Sequence, residues 1–272
     1  MAAAGAPFVE KRILILGMTY PSYSTKYVEN VCTGGIEEGT LNMVRIHPVP
    51  LRYLEPARRF KAFQWIKVRA RTHPSDGRPE SLQIDDENIQ PMEVIPASRS
   101  EDRRRFLEKS PHCVQSVEDL HQRWKQNRTS LGIVRPKEIL EVRVLPRPRK
   151  ERDQWLAKER MLLGQKHIWD RAPRRLDWPE VSFKVKWRCD DPHCTVHEMD
   201  LLQWGLHELY RKLGGDPRRD EKVVQKMKKQ LDLNHFDVFL FLGNFRTTQV
   251  NFGLMDAYSA PRQAKDFQGR LF

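Results

Sequence analysis

Residues 11–17 read K-R-I-L-I-L-G, a short apolar run that ends at a glycine. Such a run predicts a buried β-strand. Two further apolar segments, residues 31–36 and 41–47, lie on either side of a short acidic turn that contains Gly39, and they predict a hairpin. Residues 63–71, F-Q-W-I-K-V-R-A-R, alternate as in a strand with one buried face. The first hundred residues are therefore predicted to be mostly β, as a mixed β-sheet or a small β-barrel.

The second half of the chain mixes helical and strand patterns. The predicted helices lie at residues 116–127, 153–163, 199–213 and 219–231, and the predicted strands at residues 139–145, 181–188, 236–243 and 252–258. Ser116 is placed to cap the first of these helices. Residues 181–188, V-S-F-K-V-K-W-R, give the clearest strand because apolar and polar side chains alternate throughout.

These patterns define an α+β fold. A mostly β region is expected over residues 1–145, and a helical half, tied by a metal if one binds, over residues 146–272. Residues 146–150, P-R-P-R-K, would form a stiff basic linker between them. At 272 residues, a single compact domain is the alternative.

Charge favours a polyanionic partner. The chain has 48 basic and 36 acidic side chains, which gives a net charge of +12. Residues 101–180 contain 20 of the basic and 13 of the acidic side chains. This excess favours nucleic acid, although a solvated, solubilising surface explains it equally well. Four cysteines without a recognisable signal peptide predict a reducing, cytoplasmic location. No apolar run approaches the roughly 18 residues that span a bilayer.

Residues 187–200, W-R-C-D-D-P-H-C-T-V-H-E-M-D, concentrate thiols, imidazoles and carboxylates ahead of the helix predicted from residue 199. Thiolate and imidazole donors suit zinc. The candidate ligands are Cys189, Cys194, His197, His193 and Cys32, of which the last two compete for the fourth position. Three protein ligands with a water would instead make an open, catalytic site. The spacing departs from common zinc motifs, so two alternatives without a metal also stay open. The cysteines could be packing thiols, or the acidic residues could form a turn whose carboxylates favour the following helix N-terminus.

Carboxylates and aromatic side chains elsewhere indicate two further groups. Asp76 and Glu80, in a loop after a strand, could act as an acid/base pair, although a solvated turn is the simpler interpretation. The predicted nucleic-acid contacts are Tyr20, Tyr23, Lys26, Tyr27, Arg45, Arg78, Arg147, Arg149, Lys150, Trp169, Arg174 and Arg175. Aromatic side chains can stack on bases while cations hold phosphates, but each aromatic could equally anchor the core.

Several motifs are missing. The chain contains neither G-x-x-x-x-G-K-[ST] nor G-x-G-x-x-G, so no bound nucleotide cofactor is indicated. His197-Glu198 lacks the spacing of a zinc deaminase, in which the glutamate lies two residues after the ligand and P-C-x-x-C follows.

The segments Y-P-x-x-S-x-K-Y, V-C-x-x-G-I, D-x-R-P-E-S and C-D-D-x-x-C-x-x-H resemble a largely uncharacterised prokaryotic family. This resemblance covers most of the chain and implies no activity. The chain is also similar, more weakly, to anti-phage DNA glycosylases that act on glucosylated hydroxymethylcytosine. I-L-I-L-G followed by a proline-containing loop is similar to the first motif of uracil-type glycosylases, but F-L-G-N-F-R-T-T departs from their late H-P-S loop.

The glycosylase resemblance implies excision of a modified pyrimidine base from DNA, which is favoured over RNA, by base flipping. The required carboxylate would be Asp190, Asp191, Asp76 or Glu80, and zinc would be structural. One alternative is a non-catalytic, zinc-stabilised reader of nucleic acid. Another is a nuclease that holds Mg²⁺ through Asp190, Asp191, Glu198 and Asp200.

Overall fold

The computed structural model describes residues 6–25, 27–164, 172–245, 248 and 250–262. Its strands are β1 (Val9–Met18), β2 (Ser22–Ser24), β3 (Val28–Glu37), β4 (Met43–Val49), β5 (Gln64–Thr72), β6 (Ser81–Ile84), β7 (Gln90–Val94), β8 (Cys113–Val114), β9 (Leu131–Val134), β10 (Pro136–Pro146), β11 (Val181–Cys189), β12 (His197–Asp200), β13 (Phe236–Asn244) and β14 (Phe252–Pro261). Its helices are α1 (Ser100–Lys109), α2 (Val117–Asn127), α3 (Arg149–Gly164), α4 (Trp204–Lys212) and α5 (Arg219–Gln230). The predicted α+β class is confirmed.

Five N-terminal strands close into a barrel in the order β1-β3-β4-β6-β5, because β5 pairs back onto β1. Every pair is antiparallel except β4 with β6. The third and fifth barrel strands therefore run parallel, which is the Greek-key order of the OB-fold. Apolar side chains such as Ile13, Ile46 and Ile66, none of them exposed, fill the interior. The predicted small β-barrel is thus present.

The hairpin that the sequence predicts around Gly39 is present in the barrel. The hairpin of β3 and β4 turns at Gly39, whose φ of +85° favours a residue without a side chain. Short 3-10 turns, Leu51–Tyr53 and Pro56–Arg58, connect β4 to β5. Leu51 is buried with the barrel core, so this connection helps close one end of the barrel.

The remaining strands form two more sheets. Strands β14, β13, β9 and β8 make a four-stranded sheet, and β10, β11 and β12 a three-stranded one. Helices α2, α4 and α5 cover a core shared by both sheets, in which Trp187 and Phe183 are the largest fully buried side chains. Strands over residues 113–146 therefore pair with the C-terminal half of the chain.

The barrel and the four-stranded sheet share a hydrophobic core. Leu14 and Leu16, on the outer face of β1, belong to the same buried cluster as Phe239, Phe241 and Met255 of the sheet. The barrel therefore packs directly against a sheet that is built from the second half of the chain.

Two predicted elements differ from the structure. The helix expected from residue 199 begins at Trp204, because His197–Asp200 pairs with β11 as strand β12. The acidic side chains in this strand therefore do not favour a helix N-terminus. The expected basic linker is short, since Arg149 already begins helix α3. Among the described residues, no helix combines the length and apolar character needed to cross a membrane.

Candidate functional site

A group of thiol, imidazole and carboxylate donors lies where β11, β12 and α2 meet. Cys189 ends β11, Cys194 lies in the turn, and His197 begins β12. The antiparallel register places His197 opposite Trp187, whose ring centroid lies 4.8 Å away. Glu118 enters from the first turn of α2. The four residues form a possible metal-binding group, with all donor atoms within 4.8 Å of one another.

The donor spacing fits a tetrahedral cation. His197 Nε2 lies 3.4 Å from Cys189 Sγ and 3.3 Å from Cys194 Sγ. Glu118 Oε2 lies 3.1 Å from the Cys189 sulfur, and the other carboxylate oxygen, Oε1, lies 3.6 Å from His197 Nε2. Zinc bonds of about 2.0–2.3 Å place neighbouring ligands roughly 3.3–3.8 Å apart. The side chains therefore occupy positions close to the corners of such a tetrahedron.

Burial sets the protonation of this group in the absence of a cation. Burial raises the pKa of the Cys189 thiol, and the hydrogen bonds that it makes with Cys194 and donates to the Glu118 carboxylate raise it further. Burial also lowers the pKa of His197, so its imidazole is neutral and can donate a lone pair. A bound cation would replace the thiol protons and favour both thiolates.

Three of the five predicted ligands come together. His193 does not join them, because its side chain is 91% exposed and faces Asp191. Cys32 lies in barrel strand β3, half-buried against the core cluster that joins the barrel to the four-stranded sheet. Glu118 was missed because nothing in a helix start such as S-V-E-D distinguishes a ligand from a carboxylate that favours the helix dipole.

The acidic residues of the same segment are used individually. Asp190 pairs with Lys137 at 3.0 Å, and Asp191 accepts the backbone N–H of His193 at 2.8 Å within its own turn. The backbone N–H of His193 lowers the pKa of Asp191.

The two remaining members of the predicted magnesium set are also engaged. Glu198 pairs with Arg143 at 2.9 Å and Asp200 with Lys184 at 3.1 Å. These pairs argue against the predicted magnesium nuclease, since the four carboxylates face separate cations or backbone rather than one point.

A buried ion network joins the barrel to the rest of the protein, and it contains Asp76 and Glu80. Arg78 donates to Asp76 Oδ1 at 2.8 Å and reaches the backbone carbonyl of Asn244 at 2.8 Å. Ser130 donates to Glu80 through its backbone N–H at 2.8 Å and its hydroxyl at 2.6 Å. Arg78 and Glu80 thus connect the loop between β5 and β6 to strands β13 and β9.

Hydrogen bonding controls the ionisation of both carboxyls. Burial alone would raise the pKa of Asp76, but the hydrogen bonds and charge of Arg78 outweigh it and lower the pKa far below its usual range. Burial opposes ionisation of Glu80 too, and donation by His112 and Ser130 lowers its pKa. The geometry favours a structural role for both residues over the predicted acid/base pair, because little of either side chain is accessible.

The same network uses two arginines that were predicted to hold phosphate. Arg45 is only 1% exposed and donates to Ser130 Oγ at 2.9 Å and to the Ser130 carbonyl at 3.1 Å. Arg78 is 6% exposed. Neither can reach a polyanion at the surface, so their assignment as nucleic-acid contacts is corrected.

A second site lies beside the loop between β1 and β3. We call it the basic cleft; its volume is about 850 Å³. The basic cleft is lined by Arg147, Arg149, Arg152, Arg211, Arg219, Tyr20, Trp178, His207 and Tyr210, among others. The start of α3, the segment before β11, and helix α4 supply most of these side chains. Tyr20 and the pair Arg147 and Arg149, which are far from it in sequence, are predicted residues that are brought together here.

Positive charge dominates the basic cleft. Five arginines line it against two carboxylates, Asp177 and Glu180. Glu180 pairs with Arg219 at 3.0 Å, and Asp177 lies 3.6 Å from Arg211. Burial lowers the pKa of His207 to about 3, so this ring is neutral at physiological pH.

An aromatic pocket of about 350 Å³ adjoins the cleft and shares Tyr20, Arg147, Trp178 and His207 with it. Trp155 lines this pocket and lies 5.0 Å from Tyr23 and 5.5 Å from Trp178, measured between ring centroids.

Tyr23 forms the buried side of the aromatic pocket. Its hydroxyl donates to Glu159 at 2.8 Å and accepts the Leu176 N–H at 2.8 Å. Tyr23 is only 6% exposed and chiefly packs α3 against the barrel, so its predicted stacking role gives way to a packing role.

The other predicted contacts lie elsewhere. Tyr27 packs its edge against His47 at 6.0 Å. Arg174 stacks over Tyr53 at 5.0 Å. Lys150 is exposed on α3, outside the lining of the cleft, and Arg175 gives its carbonyl to Arg52. Lys26 and Trp169 lie outside the described residues.

Comparison with known families divides the chain between two domain models. The second, Domain of unknown function (DUF8757), matches residues 113–272 and includes both the metal-binding group and the cleft arginines. The chain belongs to this family. Domain of unknown function (DUF8758) matches residues 9–109, which contain the whole barrel. Among curated proteins, none matches the chain.

Proposed function

We propose that this protein binds nucleic acid, with the phosphates of a strand held in the basic cleft. The observation that carries the proposal is that five arginines, from α3 and the residues before it, α4 and α5, lie beside aromatic rings in one cavity. Cations neutralise phosphates and aromatic faces stack on bases, so proteins that bind single strands combine the two.

Two of the arginines are available for phosphate. Arg149 and Arg152 are exposed at the start of α3, and neither makes an ion pair with any other residue that the structure describes. Arg147, by contrast, donates to Glu151 at 3.1 Å and to the Val181 carbonyl at 3.1 Å, so it is already oriented toward the cleft wall.

One of the surfaces by which OB-folds bind nucleic acid lies at the cleft. OB-fold barrels bind oligonucleotides through their second and third strands and the adjacent loops. Here the outer face of those strands is covered, since Ile36 and Met43 lie in the core cluster with Met255. The loop between the first and second barrel strands stays accessible through Tyr20, which lines the cleft.

Fluorescence anisotropy with a labelled single-stranded oligonucleotide of about twelve residues tests the proposal. Replacing Arg149 and Arg152 together by alanine should weaken binding and reduce the slope of log K against log [salt] by about 1.4, two contacts' worth for a single strand.

The matched control is the pair Lys228→Ala and Lys229→Ala, which removes the same charge from the exposed face of α5. This control should leave the slope nearly unchanged. Equal losses in both double variants would show that only net charge matters, and no binding by the wild-type protein at low salt would refute the proposal.

Binding is better supported than excision of a base. A glycosylase needs a carboxylate at the anomeric carbon. The candidates Asp76 and Glu80 are buried in the ion network, and Asp190 and Asp191 lie in the turn of the metal-binding group rather than along the cleft. Mass spectrometry of the same mixtures with modified DNA tests excision, because released base would restore the glycosylase hypothesis.

We also propose that the group formed by Glu118, Cys189, Cys194 and His197 holds structural zinc. Two sulfurs, one imidazole and one carboxylate satisfy its preferred four-coordination, which leaves no position for substrate. Elemental analysis should find one zinc per chain, and Cys194→Ser should lose it and lower the melting temperature.

Cys113→Ser is the control, because Cys113 lies in β8 and outside the metal-binding group. Full zinc content in the Cys194→Ser variant, or no zinc in the wild type, would contradict the assignment.

A further inference from the structure

The aromatic pocket has the walls and edges that a single nucleobase needs. Trp155 and Trp178 meet edge to face, with an interplanar angle of 68°, and Tyr20 lines the same cavity. The volume of about 350 Å³ is within the range of small-molecule sites, roughly 300–1,000 Å³. It accommodates one heterocycle with a substituent rather than a segment of polymer.

The polar rim of the pocket can recognise the edge of a base. Gln154 and Lys158 lie four residues apart on α3, so they project from the same side of the helix into the pocket lining. A glutamine amide offers one acceptor and two donors, which matches the mixed edges of bases. Both side chains are exposed at the rim.

The position of the pocket relative to the basic cleft supplies the connection to a strand. Arg147, Trp178 and His207 line both cavities, so the two cavities are adjacent. A phosphate held near Arg147 would therefore lie beside the pocket rather than at a distant site.

We propose that the aromatic pocket receives one unstacked base of the strand whose phosphates lie in the basic cleft. This inference rests on the proposed function and deepens it, because it makes recognition depend on a base as well as on charge. Aromatic rings give affinity without strict sequence preference, and Gln154 adds selectivity for the edge of that base.

An aromatic cage for a methylated ammonium group is the competing use of such walls. Positive charge at the rim argues against it. Arg147 and Lys158 line the pocket against one carboxylate, Glu151, which Arg147 already neutralises. A cationic ligand would face repulsion there, whereas a base joined to phosphate would not.

Competition anisotropy with two probes separates base recognition from charge. The probes are a thymidine oligonucleotide of about twelve residues and an abasic strand of equal length. The wild-type protein should prefer the thymidine strand by about tenfold or more, since stacking of one base has that effect. Trp178→Ala should remove most of this preference, because it should weaken binding of the thymidine strand far more than binding of the abasic strand.

Trp124→Ala serves as a matched control, because Trp124 stacks with Arg128 on α2 and does not line the pocket. Gln154→Ala, an exposed change, should reduce the preference by a smaller factor and keeps the test valid if Trp178→Ala fails to fold. A trimethyllysine peptide should not compete.

The outcomes are distinguishable. Equal affinity of the wild type for both strands would overturn the base pocket and leave the phosphate cleft standing. Equal losses for both strands in Trp178→Ala would show a structural role only, and competition by the trimethyllysine peptide would favour the cage. Binding of neither strand would overturn the pocket together with the proposed function.

Discussion

Asp256 should make the stability of this protein depend on pH in an unusual direction. The carboxyl lies on β14, buried against Gly17 of β1. Gln203 Nε2 donates to Oδ1 at 2.5 Å and the backbone N–H of Ala257 at 2.8 Å. No lysine or arginine forms an ion pair with it in the described part of the chain. Burial raises the pKa of Asp256 to about 7, and these hydrogen bonds offset only part of the effect.

The magnitude follows from proton linkage. Between the ordinary aspartate pKa of 3.8 and about 7, the folded protein keeps a proton that the unfolded chain releases. The contribution of Asp256 to the free energy of unfolding is therefore fully present below about pH 4 and is lost as the pH rises to about 7. Each pH unit is equivalent to about 1.4 kcal/mol, so the total loss is about 4 kcal/mol.

Two histidines act in the opposite direction over part of this range. Burial lowers the pKa of His47 to about 4 and that of His207 to about 3, from the ordinary value of 6.5. Their contribution to stability is present above about pH 6.5 and is lost as the pH falls toward these values. The wild-type profile alone therefore mixes opposing terms, and only a difference between variants isolates Asp256.

The assay is urea unfolding, followed by tryptophan fluorescence at several values between pH 4.5 and pH 7.5, of the wild type and Asp256→Asn. The variant cannot ionise, so its free energy of unfolding relative to wild type should increase by about 1.4 kcal/mol per pH unit. Asp153→Asn, an exposed change on α3, measures the part caused by net charge. A difference between Asp256→Asn and wild type that stays constant with pH, or decreases, would refute the reasoning.

Two further predictions concern packing. Gly17→Ala should lower the free energy of unfolding by about 2–3 kcal/mol, because its new methyl group would lie 2.4 Å from the Asp256 carboxyl. Gly34→Ala, whose new methyl group would have its nearest neighbour 3.5 Å away, should change stability little. Urea midpoints measure both variants, and equal losses of stability would contradict the crowding at Gly17. Arg78→Lys should lower the free energy of unfolding by about 3 kcal/mol. A lysine ammonium cannot hold both oxygens of the Asp76 carboxylate and also reach the Asn244 carbonyl. The control is Arg188→Lys, because Arg188 lies 3.8 Å from Glu138 in an exposed ion pair. This change should lower the free energy of unfolding by less than about 0.5 kcal/mol. A similar loss in both lysine variants would show that the buried network adds no stability.

Much of the local structure could be predicted from sequence. Strand β11 follows from the alternation of V-S-F-K-V-K-W-R, and α2 follows from its apolar spacing, with the Ser116 hydroxyl accepting the Asp119 N–H as expected of a cap. The helix expected from residue 199 was wrong over its first turn. Met199 and Leu202 fit a helical spacing, but pairing of His197–Asp200 with β11 outweighs that pattern.

Sequence alone determined which segments bury an apolar face, where Gly39 turns the chain, and that two thiols and an imidazole lie close together near residue 190. These properties depend on neighbours within a few residues, which is the range of periodicity and turn chemistry. Tertiary structure alone decided that β5 closes the barrel on β1, that Glu118 completes the metal-binding group, and that Tyr20 meets the arginines of α3. Those outcomes depend on contacts between segments that are far apart in the sequence. Such contacts also set the burial and the hydrogen bonds of each ionisable side chain, and these determine its pKa.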